Sequence, residues 1–236
     1  MKPELKIDYA THKAAKFACE NWHYSKTIPV PPLVKFSVYE NNKFIGCIIF
    51  SRGASSNISK PFGLEQIEVC ELTRVALKKH ESNVSKMVSI AIKMLRKQNP
   101  KIKIIVSYAD PNNGHNGSIY QALNFIYIGE TAKTNKYYDK TGKMWHSRQV
   151  SEKGYNIQYG ERVKALKPSE LLKCKEKGKY KYVYPLDSTM KEFCLKLSKP
   201  YPKKCVGGVE SDTSGVHPEE GGALPTPTLI EELCQT

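Results

Sequence analysis

Three residues suited to moving protons, Glu71, Asp110 and His115, fall within the stretch Glu68–Thr131. Glu68, Glu71 and Arg74 interrupt a β-rich run ending at Leu77, where a charge is costly unless it is paired. Two readings fit them: an internal ion pair that braces the sheet, or a carboxylate that receives a proton as a general base, directly or through water. Asp110 and His115 bracket a turn, Asp110-Pro-Asn-Asn-Gly-His115, at the carboxyl end of an apolar strand, the usual place for a site in an open α/β sheet. They suit an acid–base pair or a metal site, and equally a turn aspartate beside a surface histidine. Lys78, Lys79, Ser82 and Ser85 stand where a helix begins. There they suit a phosphate cradle, or simple helix capping.

The elements that must position these residues follow from periodicity. Val84, Met87, Val88, Ala91, Met94 and Leu95 share one helical face, and Pro100 ends that helix. Ile102–Tyr108 reads as a buried strand, Ser118–Asn124 as a short helix and Phe125–Gly129 as another strand. Upstream, Tyr9–Asn21 reads as a helix, Pro29-Val-Pro-Pro32 as an extended loop, and Val34–Tyr39 with Phe44–Phe50 as a hairpin. Downstream, Tyr137–His146 reads as a second hairpin turning at Asp139–Gly142. Pro168–Lys175 reads as a short helix capped by Ser169, Lys179–Tyr184 as a strand, and Asp187–Ser198 as a helix.

The 236 residues carry a formal net charge of +14. It is concentrated in Lys133–Lys204, with 19 Lys/Arg against 7 Asp/Glu, whereas Cys205–Thr236 has 6 acidic residues and no Lys/Arg. A field of this kind points to nucleic acid as the partner, against the plainer reading of a solvated basic face. Arg162, Lys164, Lys167 and the segment Lys173–Lys181 are the expected phosphate-contacting surface. Trp22, His23, Tyr24 and Lys26 form a polar-aromatic cluster that suits stacking on an extruded base, or a buried tryptophan with solvated neighbours; His146 beside Trp145 suits the same stacking, and Arg52 and Asn57 suit contact with the target strand or an ordinary loop. The seven cysteines lack a C-x-x-C pair and the N-terminus lacks an apolar signal segment, so free thiols in a reducing, cytoplasmic compartment are expected, and no membrane partner. His23, His115 and His146, with carboxylates, could gather a metal ion, although no spacing matches H-E-x-x-H or paired cysteine ligands.

The order helix, hairpin, strand–helix–strand–helix–strand, together with Asn116-Gly-Ser-Ile-Tyr-Gln-Ala-Leu-Asn-Phe125, resembles the acyl-CoA N-acyltransferase (GNAT) superfamily. The usual Gly-rich phosphate turn is replaced by Lys79-His-Glu-Ser-Asn-Val-Ser85, without glycine. From Trp22 to Lys204, strings such as Trp22-His-Tyr-Ser-Lys26, Ser51-Arg-Gly-Ala54, Val69-Cys-Glu-Leu72, Ser107-Tyr-Ala-Asp-Pro111 and Tyr184-Pro-Leu-Asp187 resemble the phage Mom family of DNA-modification proteins.

That resemblance implies an α/β (α+β) GNAT-like fold: a mixed, mostly antiparallel central sheet flanked by helices, with a basic C-terminal extension. It implies a catalytic domain over 1–150 and a DNA-contacting extension over 151–204; the tail over 205–236 lies outside the resemblance, and its acidic, Gly/Pro/Ser/Thr-rich composition is what makes disorder the expectation there. The implied activity converts adenine in double-stranded DNA to a carbamoylmethyl derivative on its exocyclic amine, shielding phage DNA from host restriction in the host cytoplasm. Tyr120 then stands where many GNAT enzymes keep the tyrosine that protonates the leaving thiolate, or simply packs on Phe125. Glu71, Asp110 and His115 are its catalytic partners, and Arg74, Lys79, Ser82, Ser85 and Ser118 are expected to hold the donor. The donor is acyl-CoA (acetyl-CoA) or another small molecule, with a metal ion as a further candidate and a homodimer as a candidate assembly. Two other classes fit the chain: an N-acetyltransferase acting on a protein or small-molecule amine, and a non-catalytic DNA-binding protein.

Overall fold

A computed structural model of the chain describes residues 3–202 except 30, 54, 56, 146 and 159. The expected acidic tail, 205–236, and His146 lie outside the described residues. The rest forms two compact units, one made of residues up to Glu130 together with those from Tyr180 onward, the other of Thr131–Lys179.

The first unit begins with strand β1 (Leu5–Tyr9), where Leu5 and Ile7 are half-buried between exposed neighbours; the expected helix starts only afterwards, as α1 (His12–Trp22). Thr11 sets that boundary, because its hydroxyl accepts the Ala14 amide at 3.1 Å and caps the first turn. β2 (Pro32–Glu40) and β3 (Lys43–Ser51) form the expected hairpin. β4 (Val69–Leu77), α2 (Val84–Gln98), β5 (Ile104–Ala109), α3 (Ser118–Ala122) and β6 (Ile126–Glu130) then follow in the order anticipated.

The seven-stranded sheet runs β1-β2-β3-β4-β5-β12-β6, with β12 (Tyr180–Pro185) inserted between β5 and β6 and antiparallel to both. Within this sheet, among the described residues, β4 and β5 are the one pair that runs parallel. This is the expected mixed, mostly antiparallel sheet. Alternation along β3 divides its two faces. Ile48 and Phe50 join the core beneath α2, while Cys47 and Ile49 pack under α1 with Ala15, Ala18 and Cys19. α4 (Ser188–Lys196) covers the same side as α1 through Met190 and Cys194, against Val69, Ile104, Val106 and Val183. Each fully buried Ile, Leu or Phe in these layers contributes about 1.5–3 kcal/mol.

The second unit is built of short strands joined by 3-10 turns, with no α-helix among the described residues. β7 (Asn135–Tyr138) and β8 (Met144–Trp145) make the expected hairpin, its turn clamped by Asp139, whose carboxylate accepts from the Thr141 and Lys143 amides and the Trp145 indole. β9 (Tyr155–Gln158) and β10 (Glu161–Lys164) form a second hairpin. The helix expected over Pro168–Lys175 is instead a single 3-10 turn, Pro168–Glu170, followed by β11 (Leu172–Lys175) paired to β7. Eight residues are too few for an isolated helix to hold, and the exposed edge of β7 offers ladder partners that a helix would forgo.

The segment expected as one basic extension therefore divides. Its first part belongs to this β unit, and Tyr180–Pro185 completes the main sheet. Cys19, Cys47, Cys70 and Cys194 are buried free thiols. No helix among the described residues is long and apolar enough to cross a membrane.

Candidate active site

The parallel ladder between β4 and β5 covers only Val69↔Ile104, Cys70↔Ile105 and Glu71↔Val106. Where it ends, the Ser107 hydroxyl donates to the Leu72 carbonyl at 2.9 Å and side chains from several elements converge. Tyr120, on α3, makes a side-chain hydrogen bond with Ser107, and its ring packs 5.4 Å from Phe125 and 5.3 Å from Tyr182. Burial pushes the Tyr120 hydroxyl up to about 12; the Ser107 bond pulls it down, while Tyr24, Glu71 and Tyr182 add to the rise. At neutral pH this hydroxyl keeps its proton and is able to donate it.

Glu71 is half-buried at the end of the parallel ladder, close enough for its charge to raise the pKa of both Tyr120 and Tyr108. The loop after β3 is pinned beside it. The Thr73 hydroxyl donates to the Glu71 carbonyl at 3.1 Å, Ser51 Oγ lies 2.5 Å from Thr73 Oγ1, and Ser51 Oγ accepts the Gly53 amide at 3.1 Å. Gly53 has φ +84°, and a Cβ there would lie 2.8 Å from Ile58 Cδ1 and 3.2 Å from Glu71 Oε2, so a side chain would crowd the carboxylate.

The rim comes from two turns. After α1, the Ser25 amide donates to Nδ1 of the buried His23 at 3.1 Å, and Ser25 Oγ lies 2.8 Å from the same nitrogen. The His23 and Tyr24 rings lie 4.3 Å apart, and Tyr24, 41% exposed, reaches to 5.5 Å from His115. After β5, the buried Asp110 carboxylate accepts from the Asn112 amide and side chain at 3.0 and 2.9 Å, and its carbonyl accepts the His115 amide. Asp110, His115, His23, Tyr24, Tyr120 and Glu71 thus gather about the carboxyl end of the β4–β5 pair.

Other expected residues lie elsewhere. Trp22 packs between Phe17 and Phe44 at the base of α1, with its ring edge-on to Phe17, so it belongs to the helix–sheet contact. Arg74 donates to the carbonyls of Thr27 and Thr73, tying β4 to the loop after α1, and Glu68 pairs with Lys103 at 2.7 Å in the turn before β4. The sheet-bracing ion pair considered for these charges is therefore a surface pair, with Arg74 satisfied by backbone. Arg52 donates to the Ile67 carbonyl, while Asn57 and Lys26 are exposed. Ser118 starts α3, its amide bonded to Asn116 Oδ1.

Arg162 lies over Tyr155 in the second unit, where Lys164 lines a cavity with Trp145, Gln149 and Asn156. Lys181, expected on the phosphate-contacting surface, is drawn into the main sheet with its ammonium over the Phe62 ring. Among the described residues no cluster of three or more His, Cys, Asp or Glu is placed to hold a metal.

The turn before α2 departs furthest from expectation. Its amides at Glu81 and Ser82 do not face outward. They donate to the carboxylate of Glu40, the last residue of β2, at 3.1 Å from Glu81 to Oε2 and 2.8 Å from Ser82 to Oε1, and the Ser82 hydroxyl bonds the same group. Lys79 is exposed, and Ser85 is half-buried in the first turn of α2. Burial would raise the pKa of Glu40, but the Ser82 hydroxyl and the two amides outweigh it and hold the carboxyl below its ordinary 4.5. With the folded value below the unfolded one, this bond network stabilises the fold fully above that ordinary value and is lost as the pH falls through the folded one.

Two contributors lacked a sequence signal strong enough to single them out. Ser107 is a lone hydroxyl in an otherwise apolar strand. Tyr182 arrives from β12; its hydroxyl donates to the Asn116 carbonyl at 2.6 Å and accepts from the Gln121 side chain at 3.1 Å, seating the start of α3.

Comparison with known proteins gives the family. A curated relative, the methylcarbamoylase Mom of Escherichia phage Mu, is 25% identical over 209 residues, covering 85% of this chain and 84% of its own. Similar solved structures include a Bacillus subtilis acetyltransferase in complex with CoA (13% identity, 79% of this chain and 100% of that one, TM-score 0.43). A GNAT family acetyltransferase from Elizabethkingia anophelis with acetyl-CoA bound is another (12% identity, 77% and 98%, TM-score 0.40). The model of the Mom protein family matches residues 4–203, nearly all of the described chain, and on that match the chain belongs to the Mom protein family.

Proposed function

We propose that this chain is a transferase that alkylates the exocyclic amine of adenine in double-stranded DNA, yielding the carbamoylmethyl product, and so protects phage DNA from restriction. The observation that carries the reading is the pairing of a protonated tyrosine, Tyr120, with a half-buried carboxylate, Glu71, where β4 and β5 part, beside the His23–Tyr24–His115 rings. The family match and the methylcarbamoylase activity for which the phage Mu relative is named support it.

Adenine inside a duplex hides its amine in a base pair, so the base must be turned out of the stack. Tyr24, exposed and flanked by two imidazoles, supplies the face on which it stacks. The amine lone pair is delocalised into the ring, so positioning and charge stabilisation carry much of the barrier. Asp110, held by Asn112, and His115 bind and orient the base edge. In the transfer, the amine nitrogen bonds to the electrophilic carbon of the donor and the bond from that carbon to its leaving group breaks. The amine proton passes to Glu71 and the leaving group takes the proton of Tyr120. Acyl transfer would leave an amide; a product joined through a methylene carbon requires that carbon to be the electrophile, or a rearrangement of the first product.

The Thr131–Lys179 unit carries 13 Lys/Arg against 5 Asp/Glu, and Arg162, Lys164, Lys167, Lys173 and Lys175 contact phosphates from it. The residues before α2 do not fit a bound acyl-CoA diphosphate, because Glu40 already takes the amides that would hold it. No step is therefore assigned to that group.

Plasmid DNA from cells producing the protein is expected to resist endonucleases whose sites contain adenine, and Asp110→Asn is expected to restore cutting. Complete digestion despite abundant wild-type protein would overturn the reading.

A further inference from the structure

The backbone turn Lys79-His-Glu-Ser-Asn83 has the form of an anion site: consecutive amides, a serine hydroxyl and a lysine at the entry to a 15-residue helix. It already holds an anion, and that anion is part of the chain. Glu40 is buried at the end of β2, and both its oxygens accept from the turn: Oε1 from Ser82 at 2.8 Å and Glu81 at 3.3 Å, Oε2 from Glu81 at 3.1 Å. A phosphate brought to these amides would have to break these bonds and sit against a carboxylate, and like charges at contact distance repel strongly.

We infer that Glu40 is a donor-specificity residue: its carboxylate fills the anion cradle before α2, so the group donor is one that docks without a diphosphate at this turn. The inference deepens the transferase reading by excluding a class of donor at its site. Three features support it independently of any reaction. The bonds are made by backbone amides whose position is set by β4 and α2. Their acceptor comes from a different part of the sheet, at the β2–β3 turn. The surrounding sequence has no glycine to let a bulkier phosphate approach the backbone.

The test is amide NMR on the full-length, isotope-labelled protein, titrated separately with CoA and with inorganic pyrophosphate to about 1 mM, where even a modest site fills. In the wild type the Glu81 and Ser82 resonances are expected to stay in place with either probe. In Glu40→Ala, pyrophosphate is expected to move them, with affinity raised at least about tenfold once the competing charge is gone. Glu40→Gln keeps the side-chain volume and serves if the alanine variant does not fold; it too is expected to gain pyrophosphate binding. Saturable shifts of these two amides by CoA or pyrophosphate in the wild type would overturn the inference. So would a folded Glu40 variant that still refuses pyrophosphate. Because the readout is binding at the turn and not turnover, it stands or falls separately from the DNA-modification reading.

Discussion

Tyr120→Phe is expected to lower the rate of adenine modification by about 10²–10³-fold while leaving the fold close to intact. The phenyl ring keeps its packing against Phe125 and Tyr182 at 5.4 and 5.3 Å, so little apolar contact is lost. Ser107 keeps its own donor bond to the Leu72 carbonyl, so no buried hydroxyl proton is stranded. The stability cost is then about 1 kcal/mol, that of one internal hydrogen bond. What disappears is the proton: a hydroxyl pushed up to about 12 is fully charged with it at neutral pH and can deliver it to a leaving group. Parallel thermal denaturation and turnover measurements separate the two effects. In the wild type, loss of this proton does not limit the rate at any pH below about 10, since the folded value lies well above it. A Tyr120→Phe protein that turns over at the wild-type rate would remove Tyr120 from the chemistry and leave it as a packing residue.

Gly117→Ala is expected to cost about 2–4 kcal/mol and to disable the site with it. Gly117 has φ +84°, and an added Cβ would lie 2.4–2.8 Å from three ring and hydroxyl atoms of Tyr182. That ring cannot retreat freely, because its hydroxyl is held by Asn116 and Gln121 and the ring also packs on Tyr120 and Tyr127. The strain must move the start of α3, and Tyr120 sits one turn further along. Gly114→Ala is the control. Its φ is also positive, +73°, but nothing lies within 4 Å, so only the backbone cost of about 1 kcal/mol applies. A much larger loss of thermal stability and activity in the first variant than in the second is the expected pattern. Equal effects would mean that the Tyr182 contact does not set the position of α3.

Local pattern was enough to read most of the first unit. The β2–β3 hairpin, the amphipathic α2 and the run β5–α3–β6 are each written in consecutive residues, and the Tyr120–Phe125 contact follows from their spacing. Asp110, His115, His23 and Tyr24 could be nominated because each lies in a turn of conspicuous composition. What stayed hidden depends on pairing across long stretches of chain. β12 reads as a strand, but nothing local says that it enters between β5 and β6 or that Tyr182 arrives beneath Gly117. Glu40 lies 42 residues from Ser82, and its bond to that turn is set by how β2 ends relative to α2. Trp22 leaves two readings open in the sequence, because a tryptophan beside a histidine and a tyrosine reads the same whether it faces solvent or, as here, closes the helix–sheet contact with Phe44. Pro168–Lys175 failed as a helix because the β7 edge offered a better partner than its own backbone.

The measurement that bears most directly on the central claim is mass spectrometry of nucleosides from plasmid DNA recovered from cells producing this protein, with Glu71→Gln and Tyr120→Phe alongside. The expected result is a deoxyadenosine heavier by a carbamoylmethyl group in place of one hydrogen, strongly reduced in both variants. Unmodified deoxyadenosine throughout, with the wild-type protein abundant and folded, would contradict the claim that this chain modifies DNA.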